Sequence, residues 1–321
     1  LDKIMPEVKR WQTLGDQAPD LFFSGPLLDG NLVVYNGDGR PEIGVSNPSV
    51  ESARASVKSL VEAGAHFIKI YELVSPEVFG ALVAAAAKEN LPIAAHVPLS
   101  MRADTAGPRV GSMEHLRNVE IACAEDASEL HEKRGHIIQN PQQRSGYELR
   151  SHLHSTQRPI ALETADPQSE RCQKVIAALH NTIQVPTIRL NTIQEFSPVR
   201  RSDWEENLPS EVKEDWLETA HRYAGSPTEL GLKMSTWSMS LVDAMNKSAV
   251  PIGAGTDTPI AQAIPGYSLH TELERLVDAG LSSKQALAAA TIRPAEFFSL
   301  DDRKARIEPG MQADLVLLEK D

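Results

Sequence analysis

The sequence predicts an α/β fold built on a parallel sheet, and three observations carry that prediction. Short runs that are apolar throughout recur along the chain, at residues 66–71, 92–96, 184–188 and 250–254. Stretches with helical spacing separate them, and Gly or Ser-Pro pairs mark the changeovers. At 321 residues the chain is long enough for one large α/β barrel or two ordinary domains. Strands without polar alternation are buried on both faces, as in a parallel sheet covered by helices.

In chain order, Leu1, Ile4, Met5, Val8 and Trp11 fall at helical spacing, with Gly15 as a stop. Leu21, Phe22 and Phe23 read as a short strand ending at Ser24-Gly25-Pro26, and the Gly- and Asn-rich segment 29–48 as a loop. Val50, Ala53, Val57, Leu60 and Val61 form a helical stripe closed by Gly64. After strand 66–71, Ser75-Pro76 caps a helix running to about Asn90. Strand 92–96 follows, and 112–115 is the end of another. Residues 125–160 read as helix plus loop, 161–180 as one helix, and 191–228 as an insertion with a short helix on a charged face at 203–222. A helix at 230–248 leads into strand 250–254, where Gly253 and Gly255 let the backbone run close to a neighbour. Helices at 268–279 and 282–291 follow, and a turn at Gly310 introduces a final strand at 313–318.

Composition narrows the function. A formal net charge of −12 without a Lys/Arg cluster argues against nucleic acid as a partner. No run of eighteen apolar residues exists, so no membrane span is expected. Cys123 and Cys172 form no CxxC and read as buried free thiols. The chain opens on Leu1 in a helix-like pattern with no signal peptide, so a preceding segment is expected outside this sequence and localisation is unassigned.

Four strand ends carry a residue with metal-binding chemistry: Lys69, His96, His115 and Asp257. In a parallel α/β barrel the carboxyl ends of all strands meet on one face. Imidazole and carboxylate suit Zn²⁺ or a similar divalent ion. Lys69 joins such a set only if it loses its proton and takes up CO₂ as a carbamate; otherwise it pairs with a carboxylate such as Glu72 or Glu114. A lone carboxylate at the end of a buried strand, as at Asp257, needs a partner, a metal or a helix to cap.

The segments "FIKIY", "IAAHVP", "SMEHLRN", "IGAGTDTP", "LHTELERLVDAGLSSKQALAAATIRPAEFF" and "IEPGMQADLVLLEKD" resemble the amidohydrolase superfamily, and within it the imidazolonepropionase-like and Xaa-Pro-dipeptidase-like metal-dependent hydrolases. The resemblance runs from about residue 20 to the end and is weak over 125–230. It implies a TIM-type (β/α)8 barrel over residues 1–305, incomplete because its first two strands precede Leu1. Residues 306–321 would be the C-terminal strand of a small β-sandwich. It implies one or two divalent ions, most simply zinc, bound by a carboxylated Lys69, His96, His115 and Asp257. Asp257 would also be the catalytic base, taking a proton from water and passing it to the leaving amine. The implied reaction is hydrolysis of an amide or peptide C–N bond in a dipeptide or acyl-amino acid. Cyclic-amide hydrolysis and a non-catalytic truncated barrel are the alternatives. The family's His-x-His on the first strand has no counterpart before Leu1, and His152-Leu153-His154 reads as surface or loop histidines.

Tyr71, two residues past Lys69, would share its face and reach substrate. His270 is a further substrate-binding candidate. Arg102 and Arg117 could bind a substrate carboxylate, though solvation at the surface is the simpler expectation for each. An open sheet edge beside residues 21–23 predicts self-association, as a homo-oligomer.

Overall fold

The computed structural model describes residues 4–37, 39–195 and 227–319, together with isolated positions between 196 and 226. The helix expected within 203–222 lies outside the described residues.

Six short parallel strands form one sheet. They are β1 (Leu27–Asp29), β2 (Gly44–Ser46), β3 (Ile68–Ile70), β4 (Ile93–Ala95), β5 (Ser112–Glu114) and β6 (Ile183–Val185), in the spatial order β2-β1-β3-β4-β5-β6. Ile252 adds a parallel bridge to Gln184 beyond β6. There Gln184 N–H donates to Pro251 O and Gly253 N–H to Gln184 O, each at 2.8 Å. The two glycines are needed for that approach, since a Cβ on Gly255 would meet Val185 Cγ1 at 2.6 Å and one on Gly253 would meet Ile183 Cγ2 at 3.0 Å.

The helices follow from capping and patterning. Helix α1 is Met5–Gln12. Ser49 and Ser52 cap α2 (Val50–Glu62) reciprocally, and Ser75 with Pro76 opens α3 (Pro76–Lys88). A short turn, α4 (Ala103–Ala106), precedes β5. After β5 come α5 (Val119–Cys123), α6 (Ala127–Gln139), α7 (Gly146–Thr164) and α8 (Glu170–Ala178). After β6 come α9 (Ile188–Asn191), α10 (Glu229–Lys247), α11 (Tyr267–Asp278), α12 (Ser283–Ala290) and α13 (Ile292–Phe297). Leu28, Ile68, Ile70, Phe79, Leu82 and Met113 form a continuous core with the helices that cover the sheet. No described helix is long and apolar enough to cross a membrane.

Five expectations need correction. The first strand is not at residues 21–23 but at Leu27–Asp29; Phe23 instead meets the chain through its carbonyl, which accepts from His66 N–H at 2.9 Å. The loop 29–48 contains β2, which pairs with β1 and forms the sheet edge in place of residues 21–23. The helix expected over 161–180 is two helices, because Asp166-Pro167 cannot continue α7. Cys123 and Cys172 are not free thiols but a disulfide, since α5 and α8 pack with their Cα atoms 4.4 Å apart. Residues 313–318 form no strand: Leu315, Val316, Leu317 and Leu318 are 64–98% exposed, and a strand needs a second backbone to complete its ladder. Neither a closed eight-stranded barrel nor a β-sandwich is present among the described residues.

Candidate active site

Lys69, Ala94 and Ser112 stand side by side in the register of β3, β4 and β5. Side chains in one register row share a face, and Glu114 lies two residues beyond Ser112 on that face. The small Ala94 between them leaves Lys69 Nζ free to reach Glu114 Oε2 at 2.8 Å, while Ser112 Oγ donates to Glu114 Oε1 at 3.1 Å. Lys69 is thus held as an ion pair by one of the two carboxylates expected for it.

His96 and His115 follow β4 and β5 directly. Backbone bonds from His96 N–H to Ile70 O (3.1 Å) and from His115 N–H to Val185 O (2.8 Å) seat them at the carboxyl end of the sheet. Their rings meet edge-on with centroids 4.6 Å apart. Each ring has its Nδ1 anchored. His96 Nδ1 lies 2.9 Å from Glu72 Oε1, and His115 Nδ1 lies 2.8 Å from Thr187 Oγ1. Thr187 already gives its own proton to Pro186 O at 2.8 Å, so His115 Nδ1 must be the donor. Glu72 is fully buried between Arg150 and His154. Burial alone would raise its carboxyl, but Arg150 and His154 hold it well below the usual range, so His96 Nδ1 donates as well. Both imidazoles are therefore fixed as Nδ1–H tautomers with the Nε2 lone pair outside any hydrogen bond among the described residues. Burial pushes His96 down to about 3 and His115 well below its ordinary value, so both are neutral.

Behind His96 lies a buried polar chain. Arg150, His154 and Arg158 occupy one face of α7 at a spacing of four. Arg150 Nε donates to Glu72 Oε1 at 2.9 Å, and His154 Nε2 to Glu72 Oε2 at 2.6 Å. Arg158 Nη2 donates to His154 Nδ1 at 2.8 Å and its Nε to Glu120 Oε1 at 2.9 Å. His154 is accordingly not a surface or loop histidine: it is buried, on a helix, with its pKa pushed down to about 3 by burial. His152, its neighbour but one, is half-buried and joins no side chain of the site.

Asp257 completes the set on the far side. It stands in the left-handed region at φ 54°, as does His115 at φ 66°. Asp and His are among the residues that tolerate that conformation, and His115 is further held there by Asn191 Nδ2 donating to its carbonyl at 3.1 Å. Asp257 Oδ2 is 4.0 Å from His115 Nε2, and its side chain is 34% exposed. Burial raises its carboxyl, opposed by the charges of Arg117 and Lys69.

Tyr71 is buried beside the site, its ring centroid 4.4 Å from that of His96 and 5.6 Å from Tyr35. Burial and then Glu72 raise its hydroxyl pKa, so it stays a neutral donor. His270 lies exposed on α11, packed against Tyr267 at 6.4 Å, and meets no site residue. Arg102 is half-exposed and paired with Asp104 at 2.9 Å. Arg117 differs from its surface expectation: its Nε is buried. Arg150, Arg158 and Thr187 stand at the site without having been expected there from the sequence. The four-residue spacing of Arg150, His154 and Arg158 was the available signal for the first two, whereas nothing local marked Thr187.

The donor chemistry fits a divalent ion at the histidine pair: two neutral imidazoles, each with an unused Nε2 and a fixed partner behind it. Among the described residues no three His, Cys, Asp or Glu donors converge on one point.

Comparison with known proteins agrees with this architecture. Residues 227–321 match the model of the amidohydrolase family. Among solved structures, a bottromycin amidohydrolase is similar at TM-score 0.63 and 20% identity, over 88% of this chain and 56% of that one. A Xaa-Pro dipeptidase with bound methionine is similar at TM-score 0.57 and 15% identity, over 95% and 64%. A putative prolidase from Bifidobacterium longum is similar at TM-score 0.55 and 20% identity, over 97% and 63%. The chain thus spans less than two thirds of the length of these structures. No curated protein sequence matches it. The match to the amidohydrolase family model is thus confined to residues 227–321, and the fold is one that the chain shares with solved amidohydrolases and prolidases.

Proposed function

We propose that this chain is the principal part of a metal-dependent hydrolase that cleaves an amide or peptide C–N bond in a small substrate, a dipeptide or an acyl-amino acid. The observation that carries the proposal is the pair of neutral histidines, His96 and His115, locked by Glu72 and Thr187 with both Nε2 lone pairs unspent. Such a pair has the form of a ligand set, because each ring spends its Nδ1–H on a partner behind it and leaves its Nε2 lone pair for an ion.

His96 and His115 would hold the ion, with Asp257 and a carboxylated Lys69 as further ligands. When bound, a divalent ion supplies a water of lowered pKa and polarises a carbonyl. The remaining work falls to the chain's own groups. Asp257, with its carboxyl raised by burial, is suited to accept a proton from the attacking water and return it to the leaving amine. Tyr71, kept neutral, can donate to a substrate oxygen beside His96. Lys69 must leave Glu114 before it can react with CO₂, and Ser112 remains to hold Glu114 when it does.

The test is to reconstitute the protein with Zn²⁺, Mn²⁺ or Co²⁺ in bicarbonate, measure bound metal, and assay a panel of dipeptides and N-acyl-amino acids. Bound metal that is lost in His96→Ala and His115→Ala, with C–N cleavage in the panel, is the expected outcome. A protein that takes up no metal and cleaves nothing would overturn the proposal.

A further inference from the structure

Four arginines are held around the buried side of the site, and their partners can be accounted for one by one. Arg150 is paired with Glu72 and Arg158 with Glu120, each at 2.9 Å. Arg134 spends its donors on neutral amides, Gln157 Oε1 at 2.6 Å and Asn118 Oδ1 at 3.0 Å. Arg117 alone of the four has no hydrogen bond or ion pair among the described residues, and its Nε is buried without a partner.

The backbone holds Arg117 in place. It lies in the turn between β5 and α5, two residues after His115. Its neighbours Leu116 and Asn118 stand in the left-handed region at φ 54° and 65°. Asn118 Nδ2 pins the turn by donating to Val97 O at 2.9 Å. This turn is strained, and a strained turn persists only where its surroundings over-determine it. The guanidinium it presents is close enough to Asp257, His96 and His115 to influence the protonation of each.

Arg117 is half-buried, and its buried, unpaired Nε–H is expensive, because that donor loses its hydration and gains no acceptor. It cannot escape by giving up its proton. The cost is removed when an anion with two acceptor oxygens arrives, since the planar fork of Arg matches a carboxylate with two parallel N–H···O bonds. We infer that Arg117 is the receptor for the carboxylate of the substrate, so that the site selects amides whose leaving or acyl portion carries a free carboxylate over their neutral counterparts. The inference rests on the hydrolase reading of the same site for what the ligand is, but it concerns binding and not cleavage.

The two can be separated. Binding of N-acetylglycine and of N-acetylglycinamide, which lacks the carboxylate, is measured by calorimetry on the wild-type protein and on Arg117→Gln and Arg117→Lys, with thermal melting to verify that each variant is folded. The acid is expected to bind wild type about 10- to 100-fold more tightly than the amide, in line with hydrogen bonds to a charged group. Arg117→Gln should abolish that preference while leaving the amide's affinity unchanged, and Arg117→Lys should restore part of it. Equal binding of acid and amide to wild type, binding of neither, or equal loss of both in Arg117→Gln would overturn the inference. A carboxylate preference in a protein that cleaves no member of the hydrolysis panel would refute the hydrolase reading and leave the role of Arg117 standing.

Discussion

The two sides of the site are built differently. On one side, His96 and His115 each rest on a buried partner, and those partners rest on others: Glu72 on Arg150 and His154, and Thr187 on Pro186. On the other side, Asp257 is a third exposed and makes no side-chain contact closer than 4.0 Å to His115. The histidine side is part of the folded core, and its geometry is determined by the same interactions that stabilise the chain. The Asp257 side is not built into that core, and the proposed role of Asp257 is chemical. Mutations on the first side should therefore cost stability, and mutations on the second should cost activity alone.

The largest expected effect is at Glu72. Removing it in Glu72→Ala leaves Arg150 buried without its carboxylate and takes the partner from His96 and His154, so unfolding in urea should show a loss of about 3–5 kcal/mol. A loss below about 1 kcal/mol would erase the contrast between the two sides. The disulfide between Cys123 and Cys172 braces the same side, joining α5, which follows the His115 turn, to α8, which precedes β6 and Thr187. Its ends are 49 residues apart, so the double variant Cys123→Ser with Cys172→Ser should lose about 4 kcal/mol by chain entropy. Unchanged melting of that variant would show the brace to be dispensable.

A pH effect should come next. Glu272 accepts from Ile188 N–H at 2.9 Å and Arg189 N–H at 2.8 Å, which seats α9 directly after Thr187. Burial pushes its carboxyl up to about 7 from an ordinary value of 4.5, against those two donors. The folded pKa is the higher one, so the protonated form favours folding. Its contribution is fully present below about pH 4.5 and is lost as pH rises through 7. Across that window the wild type should lose about 3 kcal/mol that Glu272→Gln does not lose. Denaturant titrations at pH 5 and pH 8 measure the difference, and equal slopes in both proteins would count against it. The smallest stability effect is expected at Asp257. Its carboxyl is raised by burial, so Asp257→Asn should leave the unfolding free energy within about 0.5 kcal/mol, as for a surface substitution, while hydrolysis is abolished. A destabilisation as large as that of Glu72→Ala would place Asp257 in the core after all.

Much of the site was legible in the chain because strand ends announce themselves. An apolar run that stops on His96, His115 or Asp257 leaves a polar side chain at the rim of a buried sheet, and parallel strands bring those rims together. Lys69 and its partner were legible to the level of two alternatives, and the register across Ala94 chose Glu114. His154, expected at the surface, is buried, and Arg117, expected to be solvated, is half-buried with its Nε out of solvent. Polarity in a helix predicts exposure only when no other polar group is buried opposite, and Glu72, the partner of His154, comes from a segment far away in sequence.

By itself the sequence determined the alternation of short buried strands and capped helices, and with it the places of four candidate side chains at or just beyond strand ends. Those features depend on residues near one another in the chain: Ser49 with Ser52, Ser75 with Pro76, and apolar runs a few residues long. Only the tertiary structure decided that Cys123 meets Cys172, that β2 pairs beside β1, that residues 313–318 pair with no strand among the described residues, and that Glu72 gathers His96, Arg150 and His154. Each of these depends on which distant segment lies opposite, and a local pattern of polarity cannot specify its partner.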